Sequence, residues 1–187
     1  NTAIAGVNYD KGSTHYSREN FTSYPDNVIV THITADGSEK ISLDVSVEPD
    51  NTSGGASNSI GENGYKRTWN TTVSGGRISV NGQLTDNQMK FSSQTQVITD
   101  NGGTVTDGDG KVSVSGASEV TIITSMGTDY KDEYPSYRTG ETADELTNRV
   151  KWYVDQAKVK TYEELKANHV NDYQNIFNRV DLDLGQT

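Results

Sequence analysis

The chain of 187 residues is sized for one domain, or one domain with an appendage. It carries 26 acidic against 16 basic residues, a formal net charge of −10, which excludes the clustered Lys and Arg surface that nucleic acid requires. Only 31% of residues are hydrophobic, Cys is absent and no apolar run approaches the ~20 residues of a bilayer span, so a large core, disulfides, thiolate chemistry and a membrane-spanning helix are all excluded.

The chain changes character near residue 136. Before it the hydrophobic period is close to two; after it the period is close to 3.6. Most of the acidity lies in the first part: residues 1–135 hold nine basic and seventeen acidic groups, residues 136–187 seven and nine.

In chain order, Tyr24-Pro25-Asp26 reads as a strand break, with Pro25 fixing its φ. Val28 to Ile33 is a β-branched run suited to burial on both faces. Ile41, Leu43, Val45 and Val47 alternate with polar residues, so one face is core and the other wet. The Gly-, Ser- and Asn-rich stretch from Asp50 to Asn63 is expected to be a long surface loop. Ile78 and Val80 begin a further strand, Met89 to Ile98 a longer one, Val112 and Val114 another, and Val120 to Thr124 a second β-branched run. Asp36-Gly37, Gly75-Gly76, Asn81-Gly82 and Asp107 to Gly110 carry turn chemistry. Short strands at this spacing predict an antiparallel sandwich.

Two capping boxes, Thr142 with Glu145 and Thr161 with Glu164, open two amphipathic helices. The first buries Leu146, Val150, Tyr153, Val154 and Ala157, with Trp152 expected to pack. The second runs from Leu165 through His169, Tyr173, Ile176 and Phe177 to Val180. Asp181 to Gly185 then alternates like a strand entering a new element. The fold class is therefore mainly β: an antiparallel β-sandwich over residues 1–135, followed by a C-terminal two-helix linker over 136–187.

Reactive constellations are sparse. His15, His32 and His169 share no metal-ligand spacing and receive structural roles. Asp107-Gly108-Asp109-Gly110 resembles a fragment of a calcium loop but lacks its terminal bidentate Glu, and the run from Asp100 to Lys111 reads more simply as a β-hairpin connection. The sequons at Asn20, Asn51 and Asn70 are of the kind a Thr-rich chain produces by chance. There is no phosphate loop and no Gly-x-Ser-x-Gly elbow, so no cofactor and no metal are expected. The one cluster with the composition of a sugar-binding surface follows the last strand: Asp129, Tyr130, Tyr134 and Tyr137, with Asp132 and Glu133 between them. The same composition suits a polar rim between a sheet and a linker.

Two longer stretches carry more. Tyr16 to Asp26 has the order Y-x-R-E-x-F-x-S-Y-P-D. His169 to Gly185 has the order H-x-x-D-Y-x-x-I-F-x-R-V-x-L-x-L-G. Together they resemble the N-terminal region of glycoside hydrolase family 95, the inverting α-L-fucosidases, with Ile176 where Leu is usual; Ala117 to Tyr130 resembles the family's last sandwich strand. The resemblance implies a supersandwich-like N-terminal domain and a helical linker leading to an (α/α)6 barrel. It also implies that further strands lie before Asn1 and that the catalytic groups lie in the barrel, beyond Thr187. No catalytic residue is therefore assigned to this chain.

The expectation is a non-catalytic fragment that supports its enzyme's own barrel and helps shape a sugar-binding cleft. A stand-alone carbohydrate-binding or adhesion module, with a fucosylated glycan as ligand, is the alternative. Absent strands would leave a sheet edge or core face bare, so self-association is expected. With no Cys and abundant Thr, Ser and Asn, the expected location is outside a bacterial cell or at its surface.

Overall fold

The computed structural model describes residues 1–49, 67–100, 102–181 and 185. Ten strands are found there: β1 (Ala5–Lys11), β2 (Thr14–Ser23), β3 (Val28–Asp36), β4 (Ile41–Ser46), β5 (Arg67–Ser74), β6 (Arg77–Leu84), β7 (Lys90–Thr99), β8 (Thr104–Asp107), β9 (Lys111–Ala117) and β10 (Glu119–Thr128). Two helices follow, α1 (Ala143–Ala157) and α2 (Tyr162–Phe177). A seven-stranded sheet in the order β1-β2-β3-β10-β7-β6-β5 faces a three-stranded sheet in the order β4-β9-β8, and every pairing is antiparallel. The helices form a third layer on the outer face of the large sheet.

This layering explains the β-branched runs. On β3 and β10, Ile33, Ala35, Val120 and Ile122 join the core between the sheets, while Val28, Val30 and Ile123 face Val154, Ala157 and Leu165 of the helices. A central strand covered on both faces has no wet side and needs no polar alternation. Strand β4, covered on one face only, keeps Ser42, Asp44 and Ser46 exposed. Opposite it, β9 inserts one extra residue: Ser115 and Gly116 together face Ser42, and Gly116 takes the positive φ of a bulge. The bulge lets Val114 and Ala117, three residues apart, both reach the core.

The Gly75-Gly76 hairpin has φ near +62° and +70°, the mirror-image turn that matches strand twist. Asn81-Gly82 is not a turn. It lies inside β6, where a Cβ on Gly82 would come 2.3 Å from the Thr68 carbonyl and 2.5 Å from the Phe91 ring. The glycine permits close packing there, not a change of direction. Strand β2 ends at Ser23, at the expected break before Tyr24-Pro25-Asp26. Strands β1 and β5 carry little hydrophobic alternation, and the expected connection from Asp100 to Lys111 instead contains β8, a four-residue edge strand with Val105 as its one apolar residue.

Both capping boxes form. Helix α1 buries Leu146, Val150, Val154 and Ala157 against β7 and β10. Trp152, contrary to expectation, lies on its outer side and is 56% exposed. Helix α2 stops at Phe177 rather than Val180 and lies against β2, burying Leu165 and His169. Both helices therefore find their packing surface on the sandwich itself. The expected loop from Asp50 to Asn63, and the strand-like pattern at 182–184, lie outside the described residues.

Candidate functional site

The four predicted sugar-surface residues divide between inside and outside. Asp129 follows β10, is 2% exposed, and accepts hydrogen bonds from the Lys90 amide and Lys90 Nζ, both at 2.9 Å; Arg138 Nε lies 3.7 Å away. Its carbonyl accepts from the Thr139 amide at 2.7 Å, so Asp129 closes the base of a loop that is bridged higher up by Tyr130 and Arg138. Tyr130, Tyr134 and Tyr137 project outward from that loop. Tyr134 is 82% exposed and meets the edge of the Tyr137 ring at 6.4 Å between centroids. The arrangement offers aromatic faces to solvent while its one buried carboxylate is held by cations. The turn carboxylate Asp107 is likewise occupied, accepting from the Gly75 and Gly76 amides at 2.6 and 2.8 Å.

A more elaborate cluster joins the large sheet to α2: the first motif supplies Glu19, Phe21, Ser23 and Asp26, and the helix side comes from Lys160 to His169, where the second motif only begins. Alternation along β2 directs Glu19, Phe21 and Ser23 toward the helices and Arg18 to the opposite side, as adjacent strand positions must be. Glu19 accepts from Lys166 Nζ at 2.7 Å and from the Tyr162 hydroxyl. The Tyr162 ring stacks on His32 with 3.6 Å between centroids, and His32 Nδ1 pairs with Thr121 Oγ1 at 2.9 Å. Asp26, in the turn after β2, accepts from Ser23 Oγ at 2.6 Å, from Asn168 Nδ2 at 3.2 Å and from Lys160 Nζ. His169 Nε2 donates to the Thr2 carbonyl at 2.8 Å and its ring stacks on Phe21.

The electrostatics follow from these partners. The ammonium of Lys166, then the Tyr162 hydroxyl, hold the Glu19 carboxyl below its ordinary value against the opposing effect of burial. Burial, reinforced by the Glu19 charge, pushes the Tyr162 phenol up. Burial pushes His32 down, and the nearby carboxylates of Glu119, Glu19 and Glu163 do not compensate. Below about pH 6.5 the unfolded chain therefore binds a proton that the folded domain resists. Stability is expected to decline as pH falls from about 6.5 through the folded value of His32, and His32→Phe, which keeps a ring against Tyr162, is expected to flatten that decline. Urea melts of both proteins across the range check it; parallel slopes would assign the decline to other groups.

The aromatic stack continues outward from this cluster. Phe21, His169, Tyr173 and Phe177 form a ladder with centroids 4.9, 6.3 and 5.2 Å apart, the last three at successive turns of α2. It lines an open groove of about 590 Å³ whose other walls include Ala3, Tyr24 and Ile29. Tyr24, Ile176 and Phe177 are exposed along it. Sequence reading placed His169 and Phe177 on one helix but not against Phe21. Nor did it find Tyr162, Lys160 or Lys166, whose partners lie more than 130 residues away. The only sequence signal was the alternation of Glu19, Phe21 and Ser23 within the first motif.

Residues 1–133 match a family model described as "Glycosyl hydrolase family 65, N-terminal domain". Over 193 aligned residues the chain is 30% identical to "Alpha-L-fucosidase 2" of Arabidopsis thaliana, and over 188 it is 28% identical to "Probable alpha-fucosidase A" of Aspergillus niger; in both cases 98% of this chain is covered. The chain spans 22% of the length of each of these relatives. Among solved structures, "Putative kojibiose phosphorylase from human microbiome" superposes with a TM-score of 0.59 at 8% identity, over 94% of this chain and 24% of that one, a likeness of fold. The two-sheet sandwich, matched over residues 1–133, places the chain in the family described as glycosyl hydrolase family 65, N-terminal domain.

Proposed function

We propose that this domain is the non-catalytic support of an inverting α-L-fucosidase of family 95, with the sandwich at 1–135 and the connector at 136–187. It docks onto the catalytic barrel through the aromatic groove along α2. The observation that carries this reading is the groove itself: a contiguous row of rings ending on the exposed Phe177, on the helix where the second motif begins. Exposed apolar patches of this kind are interaction surfaces. The names of the two fucosidase relatives support the activity of the whole protein. In that protein, as the family resemblance implies, a barrel acid protonates the glycosidic oxygen while an activated water attacks from the opposite face. The rim of Tyr130, Tyr134 and Tyr137, on the loop closed by Asp129, is the part proposed to border the sugar cleft. The proposed location is outside the cell or at its surface, consistent with the acidic, Cys-free chain.

The isolated chain is expected to hydrolyse no 2′-fucosyl substrate and to self-associate through the uncovered groove. Ile176→Asp combined with Phe177→Ser is expected to return a monomer in sedimentation velocity, without loss of fold, because both side chains are exposed. A wild-type chain that stays monomeric at high concentration would overturn the docking face. Turnover by the chain alone would overturn the non-catalytic reading.

A further inference from the structure

At the opposite end of the large sheet from α2, a second groove of about 550 Å³ runs between α1 and strands β5 to β7. Its floor differs in kind from the rest of the helix-facing surface. Three cross-strand pairs lie side by side there, Arg77 with Gln96, Ser79 with Gln94 and Asn81 with Ser92. Arg77, Gln94, Gln96 and Ser92 are all buried. A sheet face under a helix is ordinarily apolar, and buried amides and guanidinium groups are costly unless each finds a partner.

Most of these groups are satisfied. Arg77 Nε donates to Gln96 Oε1 at 3.1 Å, Gln96 Nε2 to the Gly75 carbonyl at 3.0 Å, and Ser79 Oγ to Gln94 Oε1 at 2.8 Å. Ser92 Oγ and Thr147 Oγ1 both donate to Asn81 Oδ1, at 2.7 and 3.0 Å. Gln94 Nε2 is the exception: its side chain, 1% exposed, lines the groove, and the amide nitrogen has no hydrogen-bond partner among the described residues. Turning the amide over transfers the deficit to its oxygen, because Ser79 Oγ serves one terminal atom.

The wall supplied by α1 adds charge. Arg77 Nη2, Lys151 Nζ and Lys158 Nζ all converge on the single carboxylate of Asp155, at 2.7, 3.0 and 3.1 Å. Burial alone would raise the Asp155 carboxyl, but hydrogen bonds from these three cations hold it far below its usual range, so it stays ionised. Three cations around one anion leave two positive charges in surplus, in a chain whose net charge is −10. A small inorganic anion would answer the surplus charge but not the buried amide. A neutral sugar would answer the amide and hydroxyls but not the charge.

We infer that this groove is a binding site for an acidic sugar, a uronic acid unit whose carboxylate lies against Lys151 and Lys158 and whose hydroxyls meet the Gln94 amide, Ser79 and Thr72. The volume holds one or two sugar rings. The site is separate from the docking groove on α2, so its test and the docking test are independent.

The experiment is an NMR titration of the 187-residue chain with D-glucuronate, D-glucose and acetate, following the side-chain amide signals of Gln94. Glucuronate is expected to shift these signals at millimolar concentrations, with glucose and acetate each at least tenfold weaker. Binding is expected to weaken with added salt. Lys151→Ala with Lys158→Ala removes two exposed side chains and leaves the floor intact; it is expected to weaken glucuronate binding about tenfold, while Gln94→Leu, followed through the backbone amides of Ser79 and Gln96, is expected to abolish the response to glucuronate. Acetate acting as strongly as glucuronate would overturn the sugar assignment. Glucose acting as strongly would overturn the acidic one, and no response to glucuronate would overturn the site.

Discussion

Leu165→Ala is expected to destabilise the domain by about 3 kcal/mol and to lower its melting temperature by roughly 6–12 °C. Leu165 is fully buried among Phe21, Val28, Val30, Ile123, Val154 and Ala157, where α2, α1 and the large sheet meet. Removing its branched end leaves a void, and the rigid neighbouring strands cannot collapse to fill it. The effect should also be local. Helix α2 buries only Leu165 and His169, so its amide protons should lose protection before those of β3, β7 and β10. Ile176→Ala, on the exposed side of the same helix, should change stability by no more than about 0.5 kcal/mol. Guanidinium melts of the two variants, with hydrogen exchange on the first, check both statements. Equal small effects would mean that α2 does not rest on the sheet.

Asp26→Asn is expected to cost about 2 kcal/mol at neutral pH, and the cost is expected to vanish in acid. The carboxylate is buried, and burial alone would raise its proton affinity. Hydrogen bonds from Lys160, Ser23 and Asn168 outweigh burial and hold the carboxyl below its ordinary value. A charged acceptor with three donors contributes more than neutral hydrogen bonds do, and the amide cannot replace it. Lys160 remains partly solvated after the substitution, which keeps the loss below that of a fully buried pair. The sign follows from linkage: the stabilisation is complete above the unfolded value near pH 4 and disappears as pH falls through the lower folded value. Denaturation of wild type and variant at neutral pH and at about pH 2 should give a gap that closes, and a gap independent of pH would remove the charge from the account.

The two predicted pH responses separate on the same axis. His32 acts from about pH 6.5 downward, and Asp26 only near and below pH 4. Both groups lie where β2 and β3 meet α2, the same seam that Leu165 fills.

The sequence by itself determined the class of structure and most of its interior. Period-two runs at Ile41–Val47 and Val112–Val114 identified half-wet strands, and the β-branched runs at Val28–Ile33 and Val120–Thr124 identified central ones, because burial on one face or two leaves different patterns. The capping boxes at Thr142 and Thr161 marked both helix starts, since that hydrogen bonding is local to four residues. The motif resemblance supplied the relation to glycoside hydrolases.

Strands such as β1 and β5 were not legible, because their polar residues pair through backbone hydrogen bonds to neighbours that are chosen by the fold. Asn81-Gly82 looked like a turn and became a close approach, a distinction that depends on the Phe91 and Trp69 side chains beside it. Only the tertiary structure turned Asp129 inward onto Lys90, stacked Tyr162 on His32, and set the unpaired Gln94 amide beneath a surplus of cations. Hydrophobic period and caps are properties of neighbours along the chain. Polar partnership across tens to more than a hundred residues is decided when sheets and helices come together, and the candidate sites of this domain are made of such partnerships.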